Sequence, residues 1–465
     1  MLDELTIEAL LEKGDKRFPI TAKYASRYSL WIKFLDDSDF SFNDTLNLII
    51  QNNGECLTIG PCRLISDPSQ DGHRGRLIFL QDVYDVYNLL SKHKIVRLQS
   101  AFRDLENILG RRENINPSFK NFTANLTYDL SIYKDLFDRL DSQYQDEPKP
   151  IQKVVQRAII KTEGQKFKRF LDEMLAEQER LVMDFSTEEH QRHGFYFRKQ
   201  IWNFILCSAF MMRTNLKPRG YAGDSEMMRM VYLNQYQGNS TFEKLMHKFP
   251  LEQPGAQSVR NRKKIVVDVL NKLKNTSHIS SQQEINILSL ACGPAVEIED
   301  ILASSENNDN YHFTLLDQDN IALGEAADLI CGIEKKSNIK VNVDYVHASV
   351  RLMIANKKLR RKIGTYHFIY SLGLFDYLTQ RVARAVLESL YQLLEPEGII
   401  IIGNFHISNR SKCFLDYWLD WNLIHRNEDE FLNLLRSLPS VKGSVFFEDT
   451  GNQMFLCIKK MDNDN

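Results

Sequence analysis

The chain has 465 residues, well beyond the roughly 150 of one ordinary domain, so about three domains are expected. Apolar residues make up 43% and charged residues 26%, which argues against disorder; 59 basic against 61 acidic residues leave a net charge of -2 and no footprint for nucleic acid. The seven cysteines are scattered and never spaced CxxC, against a disulfide framework or a zinc site and in favour of a reducing compartment. No stretch approaches the ~20 apolar residues of a membrane-spanning helix, and the N-terminus carries acids without an apolar core, so a cytoplasmic protein is expected.

From Arg27 to Leu80 short runs alternate apolar and polar residues, separated by the turn-forming clusters DDSD, NNG and DPSQDGHRG. This predicts a small antiparallel barrel or sandwich. From Asp82 the period becomes helical: Val83, Val86, Leu89 and Leu90, then Val96, Leu98, Phe102, Leu105 and Leu109. The breaker-rich segment around Pro148–Pro150 precedes an apolar-periodic run from Ile151 to Phe185, and a second run spans Phe195–Met212. The expected organisation is a β-rich domain over residues 1–125 with trailing helices, for regulation or dimerisation, followed by a helical linker and lid or substrate module over 126–282.

Residues 283–465 read as strand and helix in alternation. The strands are INILSLACG, YHFTLLDQD, KVNVDYVHAS, YHFIYSLGLFDYL and GIIIIGNFHIS, with helices at Ile321–Ile330 and Arg381–Leu394. After a helix around Asn427–Leu438, SVFFED and QMFLCIKK close as a hairpin. Such alternation predicts an α/β fold, a Rossmann-like seven-stranded sheet covered on both faces and ending in an antiparallel pair.

The chemistry gathers at one edge of that sheet. In ILSLACGPAVEIEDIL an apolar strand ends in the small residues Ala291, Cys292 and Gly293, letting a ligand approach the backbone where parallel sheets bind ligands. Pro294 and Ala295 stand where a dinucleotide fold places glycines against a pyrophosphate, which favours a cofactor without phosphates. Asp317 and Gln318 follow the second strand at the spacing of a ribose-binding acid. Ala348 and Ser349 end the third strand; Ser371 and Gly373 end the fourth, over the expected reaction centre. Glu297 opens the first helix.

The set ACGPAVE, LLDQD, YSLGLFDYL and IIGNF resembles class I S-adenosylmethionine methyltransferases. With PRGYAGD (Pro218–Asp224), HKFPLEQPGAQSVRNR (His247–Arg262), FLDYWLDWNLIHR (Phe414–Arg426) and EDTGNQMFLCIKK (Glu448–Lys460), the chain is most similar to the bacterial family for biosynthesis of the extracellular factor 3-hydroxypalmitic acid methyl ester. The resemblance covers about residues 190–460. It implies S-adenosylmethionine as cofactor, no metal, and O-methylation of the carboxylate of a small or fatty (hydroxy) acid.

In PRGYAGD, Arg219, Tyr221 and Asp224 sit on a turn fixed by Pro218 and two glycines and could hold a carboxylate; the other reading of Arg219 is a salt bridge between modules. Arg260, Arg262, Lys263 and Lys264 form either a solvated basic face or a clamp for an anion or the cofactor's carboxylate. A carboxylate acceptor needs no base, whereas a hydroxyl does, with His406, His193, Tyr221 and Asp376 as candidates. Tyr417, Trp418 and Trp421 either pack a core or line an apolar acceptor channel. The first ~120 residues are weakly similar to PilZ barrels, a resemblance that implies a cyclic dinucleotide ligand; because the chain departs from that family's motifs, a degenerate barrel for regulation or homodimerisation is expected. TAKYASRYSLW lacks that family's RxxxR, and no DxSxxG follows. The rival reading is a non-catalytic, cofactor-binding signalling or interaction protein; a nicotinamide oxidoreductase is a third.

Overall fold

The computed structural model describes residues 7–25, 29–34, 44–52, 55–66, 74–80, 110, 114–274, 284–304, 311–355, 363–439 and 441–461. Contacts divide the chain into two units, Met1–Asn114 and Ile115–Asn465.

The first unit is a closed barrel of six strands, β1 (Ile7–Lys13), β2 (Lys16–Ala25), β3 (Ser29–Phe34), β4 (Thr45–Asn52), β5 (Glu55–Ser66) and β6 (Arg74–Phe79), in the order β1-β2-β3-β6-β5-β4. Alternation sends Leu11, Ile20, Ala22, Leu30, Ile32, Leu46, Leu48, Ile59, Leu64 and Leu77 inward. The barrel starts before Arg27, where the sequence pattern placed its first strand. Leu10 and Leu11 stand side by side and blur the alternation of β1, while Gly14, at φ +58, makes the tight turn into β2. The helices expected over Asp82–Leu109 lie outside the described residues.

The second unit opens with helices. The apolar run from Ile151 divides at Thr162, whose φ/ψ of -105/-80° is not helical, into Lys149–Lys161 and Glu163–Val182. The run expected over Phe195–Met212 is three pieces, Thr187–Gln200, Trp202–Leu206 and Ala209–Leu216. Ser208 caps the last by accepting from the Met211 amide at 3.2 Å, which a continuous helix would not allow. These helices enclose an aromatic core around Phe119, Phe137, Phe167, Phe197 and Phe242. Tyr417, Trp418 and Trp421, from the segment after the fifth sheet strand, complete it.

The sheet strands are β7 (Ile285–Leu290), β8 (Tyr311–Asp317), β9 (Asn342–His347), β10 (Tyr366–Ser371), β11 (Leu394–Phe405), β12 (Val441–Phe447) and β13 (Gln453–Lys460). Their order is β12-β13-β11-β10-β7-β8-β9; β7 to β11 run parallel, and β13 pairs antiparallel with β11 and β12. Period two explains the two-sided burial. Ile285, Ile287, Phe313, Leu315 and Phe368 pack on one face under Val266, Leu270 and Leu273 of the helix Pro254–Lys274. Leu288, Leu290, Ile369, Ile400 and Ile402 pack on the other, under Val386, Leu387 and Leu390 of the helix Gln380–Gln392. The chain builds outward from β7 to β9, then returns to place β10 on the other side of β7. That reversal opens a crevice at the carboxyl ends of β7 and β10.

Candidate active site

The crevice is a cavity of about 660 Å³, within the range of small-molecule sites. Its floor is the edge of the sheet. The loop after β7 holds Ala291, Gly293 and Ala295 at φ +54, +54 and +48. A Cβ added at Gly293 would meet nothing within 4 Å, so this backbone faces open space. A β-branched residue there would strain the left-handed turn and project into the cavity. Asp317 ends β8 and accepts the amides of Gly293 and Asp319, both at 2.9 Å. Burial pushes its pKa above the usual carboxylate range, against the pull of those amides. Glu297 is buried, accepts the Tyr370 hydroxyl at 2.8 Å and is likewise pushed up by burial.

Thus Ala291, Cys292, Gly293, Glu297, Asp317, Gln318, Ala348, Ser349 and Gly373 line one space. Ser371 does not line it: its hydroxyl is turned inward to donate to the Leu290 carbonyl at 2.9 Å, tying β10 to the end of β7.

The opposite wall comes from the helices and from the turns after β10 and β11: Tyr221, Met228, Tyr232, Val259, Arg262, Asp376, Tyr377, Phe405, Trp421 and Leu423. Gly223 fits this wall closely, since a Cβ there would lie 2.6 Å from the Tyr377 hydroxyl and 2.7 Å from the Trp421 ring. The Trp421 indole donates to that hydroxyl at 2.7 Å.

The four acceptor-side residues expected from sequence do not converge. Tyr221 lines the cavity. Arg219 lies behind it, donating to Asp319 at 2.9 Å, to Glu325 at 2.8 Å and to the Ser225 hydroxyl at 2.5 Å. Of its two readings the structure carries the salt bridge, with Asp319 and Glu325 as partners. Asp224 is fully buried, caps the helix Ser225–Leu233 through the Met227 amide at 3.0 Å and pairs with Arg213 at 2.8 Å. His406 sits outside the cavity lining, against Ser408 at 2.6 Å and Glu428 at 3.1 Å. His193 belongs to the helical core, where its Nδ1 meets the Glu189 carbonyl at 2.7 Å and its Nε2 accepts the Asn116 amide at 3.0 Å. Of the aromatic trio, Trp421 reaches the cavity, while the Trp418 indole donates to Gln178 at 2.9 Å inside the helical core.

The basic cluster also divides. Lys263 pairs with Asp300 at 2.7 Å, Arg260 holds the Val231 and Leu251 carbonyls, and Lys264 is exposed. Arg262 faces the cavity and is only 8% exposed. Its contacts are long: the Tyr232 hydroxyl at 3.2 Å, the Leu372 carbonyl at 3.3 Å and the Met228 sulfur at 3.3 Å. Among the described residues no carboxylate forms a salt bridge with it. The missed signal is its position: Val259, Arg262, Val266, Leu270 and Leu273 form one buried stripe at helical spacing. A buried guanidinium without a salt bridge among the described residues can take up an anion.

A parallel sheet of this order, closed by an antiparallel strand and opening at its switch point onto an uncharged turn and an acid, defines a methyltransferase-type fold. The family model described as "Putative methyltransferase" matches residues 161–402, and the chain belongs to that family. No curated protein matches. Three similar solved structures are a possible exported protein from Bordetella parapertussis (12% identity, 51% of this chain and 80% of that one, TM-score 0.40), the magnesium protoporphyrin IX methyltransferase of Synechocystis PCC 6803 with bound SAM (11%, 44% and 83%, 0.32) and the N-methyltransferase NodS of Bradyrhizobium japonicum WM9 (12%, 43% and 97%, 0.28). Among the described residues no helix is long and apolar enough to cross a membrane, and no group of His, Cys, Asp and Glu is placed to hold a metal.

Proposed function

We propose that this methyltransferase uses S-adenosylmethionine and methylates a small, largely apolar acceptor bound between the sheet edge and the helical wall. The observation that carries this reading is the joining, in one cavity, of the open Gly293 turn, the Asp317 carboxylate and the Arg262 cation, which forms no salt bridge among the described residues. The open turn leaves room for such a cofactor, and the two charged groups fit distinct parts of it. Asp317 would accept the ribose hydroxyls, the small residues Ala348 and Ser349 would flank the adenine, and Arg262 would hold the carboxylate of the amino-acid tail. The cofactor supplies a methyl group activated by its sulfonium sulfur.

The chain's own task is then positioning and exclusion of water, the main requirements of an in-line displacement. Tyr377, Phe405, Trp421 and Leu423 supply the apolar wall, and the Arg219 pairs with Asp319 and Glu325 fasten the Tyr221 loop across the edge of the sheet. The acid acceptor expected from sequence relied on Arg219 for its carboxylate, and that guanidinium is already neutralised by two acids. We therefore assign the acceptor by size and apolarity, with a fatty or hydroxy-fatty chain fitting that wall. The test is calorimetric titration with S-adenosylmethionine and its demethylated product S-adenosylhomocysteine, followed by an acceptor screen for product formation; binding of neither would end this reading.

A further inference from the structure

Asp376 lies in the 3-10 turn Phe375–Tyr377 that follows β10 and belongs to the cavity wall opposite the sheet edge. It is 3% exposed. Its Oδ1 accepts the Phe405 amide at 2.7 Å, and its own carbonyl accepts the Ile424 amide at 2.7 Å, so the turn is locked between β11 and the segment that follows. Among the described residues no hydrogen-bond donor reaches its Oδ2, and Asp376 lines the cavity.

The charged groups facing it are two arginines. Arg262 comes from the helix Pro254–Lys274 and Arg426 from the segment before the helix Glu428–Leu432. Neither forms a salt bridge with it. Arg426 is committed to the Phe375 carbonyl at 2.8 Å, to Gln380 at 3.0 Å, and to Asn404 and the Leu378 carbonyl. Tyr377 is the neighbouring titratable group, with its hydroxyl taken up by Trp421. A carboxylate that served only the fold would have both oxygens satisfied. This one leaves its second oxygen without a donor among the described residues, on a residue that lines the cavity. Burial raises it to about 7, against the Phe405 amide and the two arginines.

Resting on the S-adenosylmethionine reading, we propose that Asp376 is the general base and that the acceptor atom is therefore a neutral hydroxyl or amine nucleophile, not a carboxylate. As the acceptor oxygen or nitrogen takes the methyl through its lone pair, its own proton passes to Asp376 Oδ2, and the pair of the broken sulfur–carbon bond stays on sulfur. The proton then leaves to solvent with the product. A carboxylate acceptor has no proton to give, and its charge beside Asp376 would be repelled. A hydroxy acid would be methylated at its hydroxyl.

The test uses the full chain with three acceptor panels of matched apolar size: alcohols and phenols, primary amines, and carboxylates. Product S-adenosylhomocysteine is the readout, alongside calorimetry of that compound. The expected result is turnover confined to the first two panels, with kcat/KM rising through about pH 7 to a plateau. Asp376→Asn, which keeps the acceptor for the Phe405 amide, should lose about 10²-fold or more in kcat/KM and bind S-adenosylhomocysteine within threefold of the parent. That retained affinity also shows that the variant folds. Preference for carboxylates, or an Asp376→Asn variant with parental rates and pH profile, would overturn the proposal. A parent protein that fails to bind S-adenosylhomocysteine would instead overturn the reading beneath it.

Discussion

A base kept inside a protein has a cost that can be measured without any substrate. Asp376 moves from an ordinary 3.8 to about 7 on folding, a change of roughly three pH units at about 1.4 kcal/mol each. The sign follows from proton binding. Between those two values the folded chain holds a proton that the unfolded chain has released, so this group's contribution to stability falls as pH rises across that window. Asp376→Asn removes the titration and keeps the hydrogen bond from Phe405. The variant's stability relative to the parent should therefore be lowest below pH 4, climb by on the order of 4 kcal/mol up to about pH 7, and hold steady above. Urea unfolding between pH 3.5 and 8.5, on the order of one measurement per half unit, gives the curve, read from the fluorescence of Trp202, Trp418 and Trp421, which all lie in the second unit. A parent-to-variant difference that stays flat across that range would refute the burial that raises this carboxyl against its two facing arginines.

Arg262→Met should weaken S-adenosylhomocysteine by about 2 kcal/mol, near 30-fold, while leaving methylthioadenosine, which lacks the amino-acid carboxylate, within threefold; calorimetry with both ligands checks this. Gly223→Ala forces a methyl into contact with Tyr377 and Trp421, so acceptor kcat/KM should fall and stability drop by about 1–3 kcal/mol with cofactor affinity retained. Arg219→Ala removes two ion pairs from a residue 14% exposed and should destabilise the unit by about 1–3 kcal/mol in denaturant titrations. A selective rise in acceptor KM at unchanged stability would restore Arg219 to a substrate role.

The sheet was legible because its signals are redundant. Each strand carries its own apolar run, and the small turn at Gly293 and the acid at Asp317 recur in the order a switch point requires. Side-chain direction at strand ends was not legible. Ser371 and Tyr370 are adjacent on β10, yet the hydroxyl of Ser371 is spent on Leu290 while Tyr370 faces the cavity. His406 looked as eligible a base as Asp376, because composition does not tell which of two strand-end residues turns toward the crevice. Arg262 was hidden among surface bases, although its place on the stripe through Val259 and Val266 separated it from Lys264. Arg219 was expected from sequence to hold the acceptor's carboxylate, with a salt bridge between modules as the other reading; its partners Asp319 and Glu325 lie about a hundred residues away, and only folding brings them near.

The central claim is that Gly293, Asp317 and Arg262 together grip one adenosyl amino acid. It is tested most directly by titrating S-adenosylhomocysteine into the parent, Gly293→Val and Asp317→Ala proteins by calorimetry. One-to-one binding to the parent, at least about tenfold weaker binding with Asp317→Ala and none with Gly293→Val is the predicted pattern. Equal affinity in all three proteins, or no binding to the parent, would contradict it.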